Sequence, residues 1–174
     1  METTTTPHTT PQEPMTPEKP QQEHEWLQKM VGEWTYEIEA TMGPDQPAET
    51  MTGTETVRSV GGLWVIAEGH GEMCVDGGDM TSIMTLGYNS QTRRYTGTWI
   101  GSVMTYLWVY DGELDATERV LTLNSEGPAM SGDGMAQYKD VIEFKSDDHR
   151  VMTSHLLRDD GQWQQFMTAH YRRQ

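Results

Sequence analysis

Residues 34–40 read WTYEIEA, and the alternation within this stretch decides the fold class. Apolar residues stand at every second position, and polar residues fill the positions between them. Successive side chains of a β-strand point to opposite faces of the sheet, so one face of this segment would be buried and the other solvated. The stretch therefore predicts a half-buried antiparallel strand.

The same period of two continues through the rest of the chain. It recurs in TMTGTETVRSV, LWVIAEGHGEMCV, MTSIMTLGY, YTGTWIGS, MTYLWVYDGEL, ERVLTLNSE, YKDVIEFKS, RVMTSHLLR and WQQFMTAHYRR. Turn residues such as DGGD and RDDG separate these segments, and no long helical pattern lies between them, which argues against a parallel sheet. Closure would remove the exposed edges of so long a meander. The sequence therefore predicts an all-β fold, a single antiparallel up-and-down barrel of about ten strands.

The segment before residue 34 predicts one short helix. Trp26, Leu27, Met30 and Val31 recur at helical spacing, and Gly32 ends the pattern. Such a helix would plug one end of the barrel. Residues 1–22 are rich in Thr and Pro and almost free of apolar side chains, so we expect a disordered tail there and the β-barrel domain over residues 23–174.

Charge and composition limit the partners of the chain. It has 174 residues and a formal net charge of −15, which disfavours binding to nucleic acid and to anionic membranes. No apolar run approaches the roughly 20 residues of a membrane helix. Cys74 is the only cysteine, which excludes an intramolecular disulfide and fits a reducing compartment. We therefore expect a cytoplasmic protein, with a homo-oligomer left open.

Several pieces of the chain together resemble the domain-of-unknown-function 1579 family. They are HEWLQKMVGEW, SVGGLWVIAEGHGEM, LGYNSQTRRYTGTWIGS, YDGELDATERVLTL, RDDGQ and the terminal YRR, and the resemblance covers residues 24–173. It implies a calycin-like barrel, in the broad group of the lipocalins, fatty-acid-binding proteins and haem-binding nitrobindins. It implies no agreed activity.

The resemblance also implies how the barrel closes. In the calycin-like group a Gly-x-Trp at the first strand is often covered by an Arg from the last strand. Here Gly32 and Trp34 supply the first part and Arg173 the second, with a cation–π contact of about 0.5–2 kcal/mol. A shift of one residue in register would replace Arg173 by Arg172.

The stretch LWVIAEGHGEM, residues 63–73, raises the question of a catalytic pair. If Trp64 and Ile66 point inward, parity sends Glu68, His70 and Glu72 inward as well, and in the opposite orientation these polar residues lie outside. The bulk of Trp64 and the small residues at the alternate positions favour the first orientation. Inside a cavity, Glu68 and His70 could act as a general acid–base pair. No HxH, CxxC or HExxH spacing is present, so no metal site is predicted.

Aromatic residues predict the wall of a ligand cavity. Large aromatic side chains stand in the every-second-position rows of three predicted strands: Trp64, Trp99, Tyr106 and Trp108. Barrels of this strand number often leave room for one small ligand. Polar groups that would fix its orientation are Glu68, His70 and His155. The leading interpretation is therefore a binding module for a small, mostly apolar molecule.

Three alternatives stay open. The first is an enzyme that uses Glu68 and His70 in the same cavity, and the second is a structural or oligomerisation barrel with a filled interior. The resemblance to nitrobindins implies the third, a haem held by a late histidine, for which His155 and His170 are the candidates. The Gly-rich motif that follows the first-strand Trp in nitrobindins is absent, because TYEIEA follows Trp34. No other cofactor is expected.

Overall fold

The computed structural model of the chain describes residues 16–41, 47–72 and 78–174. The elements are the helix α1 (Gln22–Gln28) and the strands β1 (Gly32–Ala40), β2 (Glu49–Val60), β3 (Trp64–Glu72), β4 (Asp79–Asn89), β5 (Arg94–Gly101), β6 (Trp108–Leu114), β7 (Val120–Pro128), β8 (Met135–Ser146), β9 (His149–Leu157) and β10 (Trp163–Arg173). Each strand pairs antiparallel with its neighbours in sequence, and β10 pairs with β1 to close the barrel. The predicted all-β barrel with a short N-terminal helix is confirmed.

Two sequence features fall partly or wholly beyond these ranges. Residues 1–15 of the predicted tail and Cys74 lie outside the described residues. Residues 16–21 are exposed and have no regular secondary structure, and α1 begins at Gln22. No helix in the described ranges is long and apolar enough to cross a membrane.

The helix α1 plugs one end of the barrel. Leu27 and Met30 are fully buried, and Trp26 packs edge-on against Phe144 while its indole N–H donates to the Glu118 carbonyl at 3.0 Å. A seven-residue helix is not stable alone, so this burial, at about 1.5–3 kcal/mol for each large apolar side chain, keeps it in place.

His24 anchors the first turn of α1. It is buried, its Nδ1 accepts the Gln21 backbone N–H at 2.9 Å, and its Nε2 lies 3.1 Å from the Tyr88 carbonyl oxygen. The two contacts require the neutral tautomer with the proton on Nε2, because Nδ1 must accept and the carbonyl can only accept. His24 therefore has a structural role between α1 and β4.

A filled core occupies the half of the barrel next to α1. Inward-facing side chains from most strands interdigitate there and are almost completely buried; they include Trp34, Val57, Val65, Leu86, Leu121, Leu123 and Ile142. Trp34 lies opposite Arg173 in the β1–β10 ladder and opposite Glu55 in the β1–β2 ladder. These ladders fix which residues of every strand face the interior.

The orientation predicted for β3 is wrong. Val65 and Ala67 point into the barrel and are buried, whereas Trp64 points outward with 41% of its surface exposed. The physical reason lies on β1, because the Tyr36 ring lies across the inner faces of β2 and β3. A Cβ at Gly53 or Gly71 would collide with that ring or its hydroxyl, so the small residues must face inward. Trp64 instead covers Gly87 on the outer face.

Candidate functional site

The end of the barrel opposite α1, here called the mouth, leads into an interior that water can reach. Inward-facing side chains in this half keep part of their surface accessible, unlike those next to α1; they are Ile38, Met51, Met80, Ser82, Trp99, Trp108 and Met167. The partial exposure of these inward-facing side chains indicates that the mouth half is less completely filled than the half next to α1. We take this half as the candidate cavity, and its lining is mostly apolar.

Aromatic rings form one wall of this cavity. Trp108 packs edge-on against Tyr106 at 5.2 Å and against Tyr138 at 5.0 Å between ring centroids. The Tyr138 hydroxyl donates to the Pro128 carbonyl at 2.6 Å, and the Tyr106 hydroxyl donates to the Glu126 carbonyl at 3.0 Å. These hydrogen bonds hold both phenol rings, and Trp108 is also supported by contact with Gly127. The wall is thus preformed.

The structure brings together some of the sequence-predicted cavity residues and separates others. Trp99 and Trp108 are direct partners in the β5–β6 ladder and face the interior, with Tyr106 beside them. Trp64 and His155 lie on the outer face instead. His155 stands between Lys139 and Gln165 in its ladders, and burial together with the charge of Lys139 lowers its pKa.

Glu68 and His70 do contact each other, but outside the barrel. The Glu68 Oε1 lies 3.0 Å from the His70 Nε2, and the His70 Nδ1 lies 3.2 Å from the Thr81 Oγ1. About half of each partner in the ion pair is exposed, with 56% for the His70 side chain and 50% for that of Glu68. Their predicted place in the cavity is therefore wrong, for the reason of parity given above.

The two candidate haem ligands face away from the interior as well. His170 lies on the outer face of β10, where its Nδ1 is 3.1 Å from the Nε2 of His149 and the two rings stack. Neither His155 nor His170 can reach a group inside the barrel from these positions. The residues do not fit a haem held within the cavity. Among the described residues, no three His, Cys, Asp or Glu side chains converge as a metal site.

A buried ion pair forms the floor of the cavity, where the open half meets the filled core. Arg150 is 2% exposed and its Nη2 pairs with the Glu55 carboxylate, while its guanidinium lies 3.9 Å from the centroid of the Tyr171 ring and 4.8 Å from that of Trp34. Burial lowers the pKa of Arg150 to about 10, which still leaves it charged at neutral pH. The Nε of Arg150 is buried without a hydrogen-bond partner in the described part of the chain.

A second polar group lies beside the first. The Tyr110 hydroxyl donates to Asp140 Oδ2 at 2.6 Å, and the Ser154 hydroxyl donates to Asp140 Oδ1 at 2.5 Å. Burial raises the pKa of Asp140, against the lowering effect of these two hydrogen bonds. Asp140 nevertheless keeps some accessible surface although it faces the interior, which places it at the border of the cavity.

Sequence reasoning missed these floor residues, although a signal was available. Arg150 and Asp140 stand at positions of HRVMTSHLL and YKDVIEF that otherwise hold the apolar, inward row. A charged residue in an inward row costs free energy unless it is paired, so it marks either a buried ion pair or a polar site.

A shallow concavity also lies outside the barrel, across β2, β1 and β10. Its volume is about 670 Å³, and polar side chains of the outer faces line it: Thr35, Glu37, Thr52, Thr54, His170 and Arg172. Tyr36 and Gly53 also border this surface, but Trp99 and Trp108 do not. We therefore place the candidate site inside the barrel.

The described residues form an all-β protein, a closed antiparallel barrel of ten strands with a short helix at one end. The chain belongs to the family described as protein of unknown function (DUF1579), whose profile matches residues 19–173. The recognition made from the sequence motifs is confirmed. No curated protein matches the chain significantly.

Solved structures with the same architecture are distant in sequence. The crystal structure of Rv2717c from M. tuberculosis aligns with a TM-score of 0.62 at 13% identity, covering 90% of this chain and 99% of that one. The S-type phycobiliprotein lyase CPES from Guillardia theta aligns with a TM-score of 0.59 at 12% identity, covering 86% of this chain and 91% of that one. At these identities the likeness shows the fold.

Proposed function

We propose that the barrel binds one small, mostly apolar molecule in the space between the mouth and the polar floor. The observation that carries the proposal is the contrast between the two halves of the interior. Most inward side chains next to α1 are almost fully buried, whereas several near the mouth, including Trp99 and Trp108, keep accessible surface. An apolar molecule in that space would remove this surface from water, at about 25 cal/mol for each Å² of apolar area.

The lining also supports selectivity for shape together with some tolerance. Tyr106 and Tyr138 are held by hydrogen bonds to backbone carbonyls, so that wall loses little conformational entropy on binding. Met51, Met80 and Met167 contribute flexible, polarisable side chains that adapt to an irregular ligand. The polar floor supplies the few directed groups that orient a molecule in a mostly apolar pocket.

Titration with Nile red, a neutral dye that brightens in apolar surroundings, tests the proposal. We expect saturable binding to the wild type and loss of binding in Ser82→Phe, which fills the interior from β4. The matched control is Ile83→Phe, because Ile83 is the next residue on the same strand and faces outward. Equal binding by both variants, or no binding by the wild type, would contradict the proposal. Circular dichroism checks that each variant is folded.

A second candidate function is an acid–base activity at Glu68 and His70, favoured by the chain of contacts from Thr81 through His70 to Glu68. In that geometry His70 could withdraw a proton from the Thr81 hydroxyl while Glu68 holds the imidazole. The test is hydrolysis of a small activated ester by the wild type and by His70→Gln. An activity that survives this substitution, or no activity, would contradict it.

A further inference from the structure

Hydrogen-bond donors without a protein partner gather at the floor of the cavity. The Nε of Arg150 is buried and has no acceptor within the described ranges. The hydroxyls of Tyr36 and Tyr171 make no hydrogen bond to another described side chain or backbone group, although their rings lie only 5.7 Å apart between centroids. A buried donor that stays unsatisfied costs about 1–3 kcal/mol, so a molecule that accepts from the Arg150 Nε gains free energy, and the two tyrosine hydroxyls can donate to the same molecule.

Each acidic group beside these donors already has a partner. The Glu55 carboxylate pairs with Arg150, and both oxygens of Asp140 accept a hydroxyl. A ligand whose inner end carried only donors would have to compete with these contacts. The free hydrogen-bonding capacity of the floor therefore favours an acceptor.

The charged groups of the floor already have partners. Arg150 and Glu55 offset each other, and the Asp140 carboxyl accepts two hydroxyls. A carboxylate in this place would lie among two acidic side chains, and an ammonium group would lie near the Arg150 guanidinium. Either ion would lose its hydration without a free counter-charge, which costs several kcal/mol.

From these observations we propose that the ligand carries an uncharged hydrogen-bond acceptor, such as a ketone, ester or amide carbonyl, at the end that reaches the floor. The Tyr171 and Tyr36 hydroxyls donate to this oxygen, and the apolar remainder of the molecule lies against the aromatic wall. This inference rests on the proposed binding function and specifies the chemical class of the molecule bound.

Three probes that share a nonyl chain on the head-group carbon separate the alternatives: 2-undecanone, decanoate and decylamine. Calorimetric titration of the full chain near pH 7 should show 2-undecanone binding about tenfold or more tightly than either ion. Tighter binding of decanoate or of decylamine, or equal binding of all three, would overturn the inference. If Nile red still bound in that case, the proposed binding function would remain supported. If neither Nile red nor any of the three probes bound, the inference and the proposed function would both be overturned.

A pair of tyrosine variants tests the named donor. Tyr171→Phe keeps the ring that lies under the Arg150 guanidinium and removes only the hydroxyl. It should therefore lower the affinity for 2-undecanone about fivefold to tenfold. Tyr95→Phe is the matched control, because its hydroxyl already donates to the Glu23 carbonyl at the plugged end of the barrel. Equal effects of the two variants on 2-undecanone, or no effect of Tyr171→Phe, would remove Tyr171 from the site and overturn the assignment.

Discussion

Arg150 on β9 pairs with Glu55 on β2 across the interior of the barrel. Two strands, β10 and β1, lie between them, and the ladder between these two strands is where the barrel closes. The ion pair therefore bridges the closing seam from inside, while Trp34 and Tyr171 from the same seam contact the guanidinium. One polar contact thus stabilises the closure and forms the floor of the candidate site.

We expect Glu55→Gln to destabilise the fold by about 3–5 kcal/mol, because it leaves the Arg150 charge buried without a partner. The double variant Glu55→Leu/Arg150→Met should be more stable than this single variant, since it removes both charges and keeps apolar volume. Urea denaturation measures both values. Glu37→Gln, on the outer face of β1, is the control and should change little. A loss for Glu55→Gln as small as that of the control would contradict the role of the pair.

The stability of the protein should depend on pH through Asp140. Burial raises its pKa in the folded state above the usual 3.8. Its contribution to stability is therefore complete below about pH 4 and is lost as the pH rises through the folded pKa. The free energy of unfolding of Asp140→Asn, relative to the wild type, should consequently increase from about pH 4 to about pH 7.

Asp111→Asn supplies a control of opposite sign for that experiment. Hydrogen bonds from Arg94 lower the pKa of Asp111, so its contribution is present above its unfolded pKa and is lost as the pH falls through the folded pKa. Replacing Asp111 should therefore cost more stability near neutral pH than in acid. Urea denaturation at several pH values measures both slopes. Parallel slopes for the two variants would contradict the assignment of the Asp140 shift to burial.

Arg173 and Arg172 should differ sharply in their contribution to stability. Arg173 lies 4.3 Å from the centroid of the Trp34 ring, and its guanidinium donates to the carbonyls of Val31 at 2.8 Å and Lys29 at 2.9 Å. We expect Arg173→Gln to cost about 2 kcal/mol, because it loses the cation–π contact and the hydrogen bonds to the end of the plug. Arg172→Gln should stay within about 0.5 kcal/mol, since Arg172 is exposed on the outer face. Thermal unfolding compares the two, and equal effects would contradict this assignment.

Period-two alternation predicted the architecture because each strand carries its own signal. In WTYEIEA one face is apolar and the other charged, so a single strand reveals both its type and its inner side. The number of strands follows from counting such segments and the turns between them. The closing contact of Trp34 with Arg173 was implied by the resemblance to the calycin-like group and not by the alternation.

The orientation of β3 could not be predicted in the same way, because both of its faces begin with large apolar residues. What decides it is the Tyr36 ring of β1, which needs glycines opposite it on β2 and β3. That requirement involves three strands and appears only once their register is known. Since the catalytic hypothesis for Glu68 and His70 depended on this parity, it could not be decided from one strand.

Substitutions on the two faces of the barrel should separate binding residues from surface residues. We expect Trp108→Leu to weaken the binding of Nile red by about 1–2 kcal/mol, because it removes the ring that joins Tyr106 and Tyr138 in the cavity wall. Glu68→Gln and His70→Gln should leave the affinity within about twofold of the wild type, since both side chains lie on the outer face. Fluorescence titration measures all three variants. If His70→Gln lowered the affinity for Nile red as much as Trp108→Leu, the dye would bind outside the barrel and the assignment of the site to the interior would be wrong.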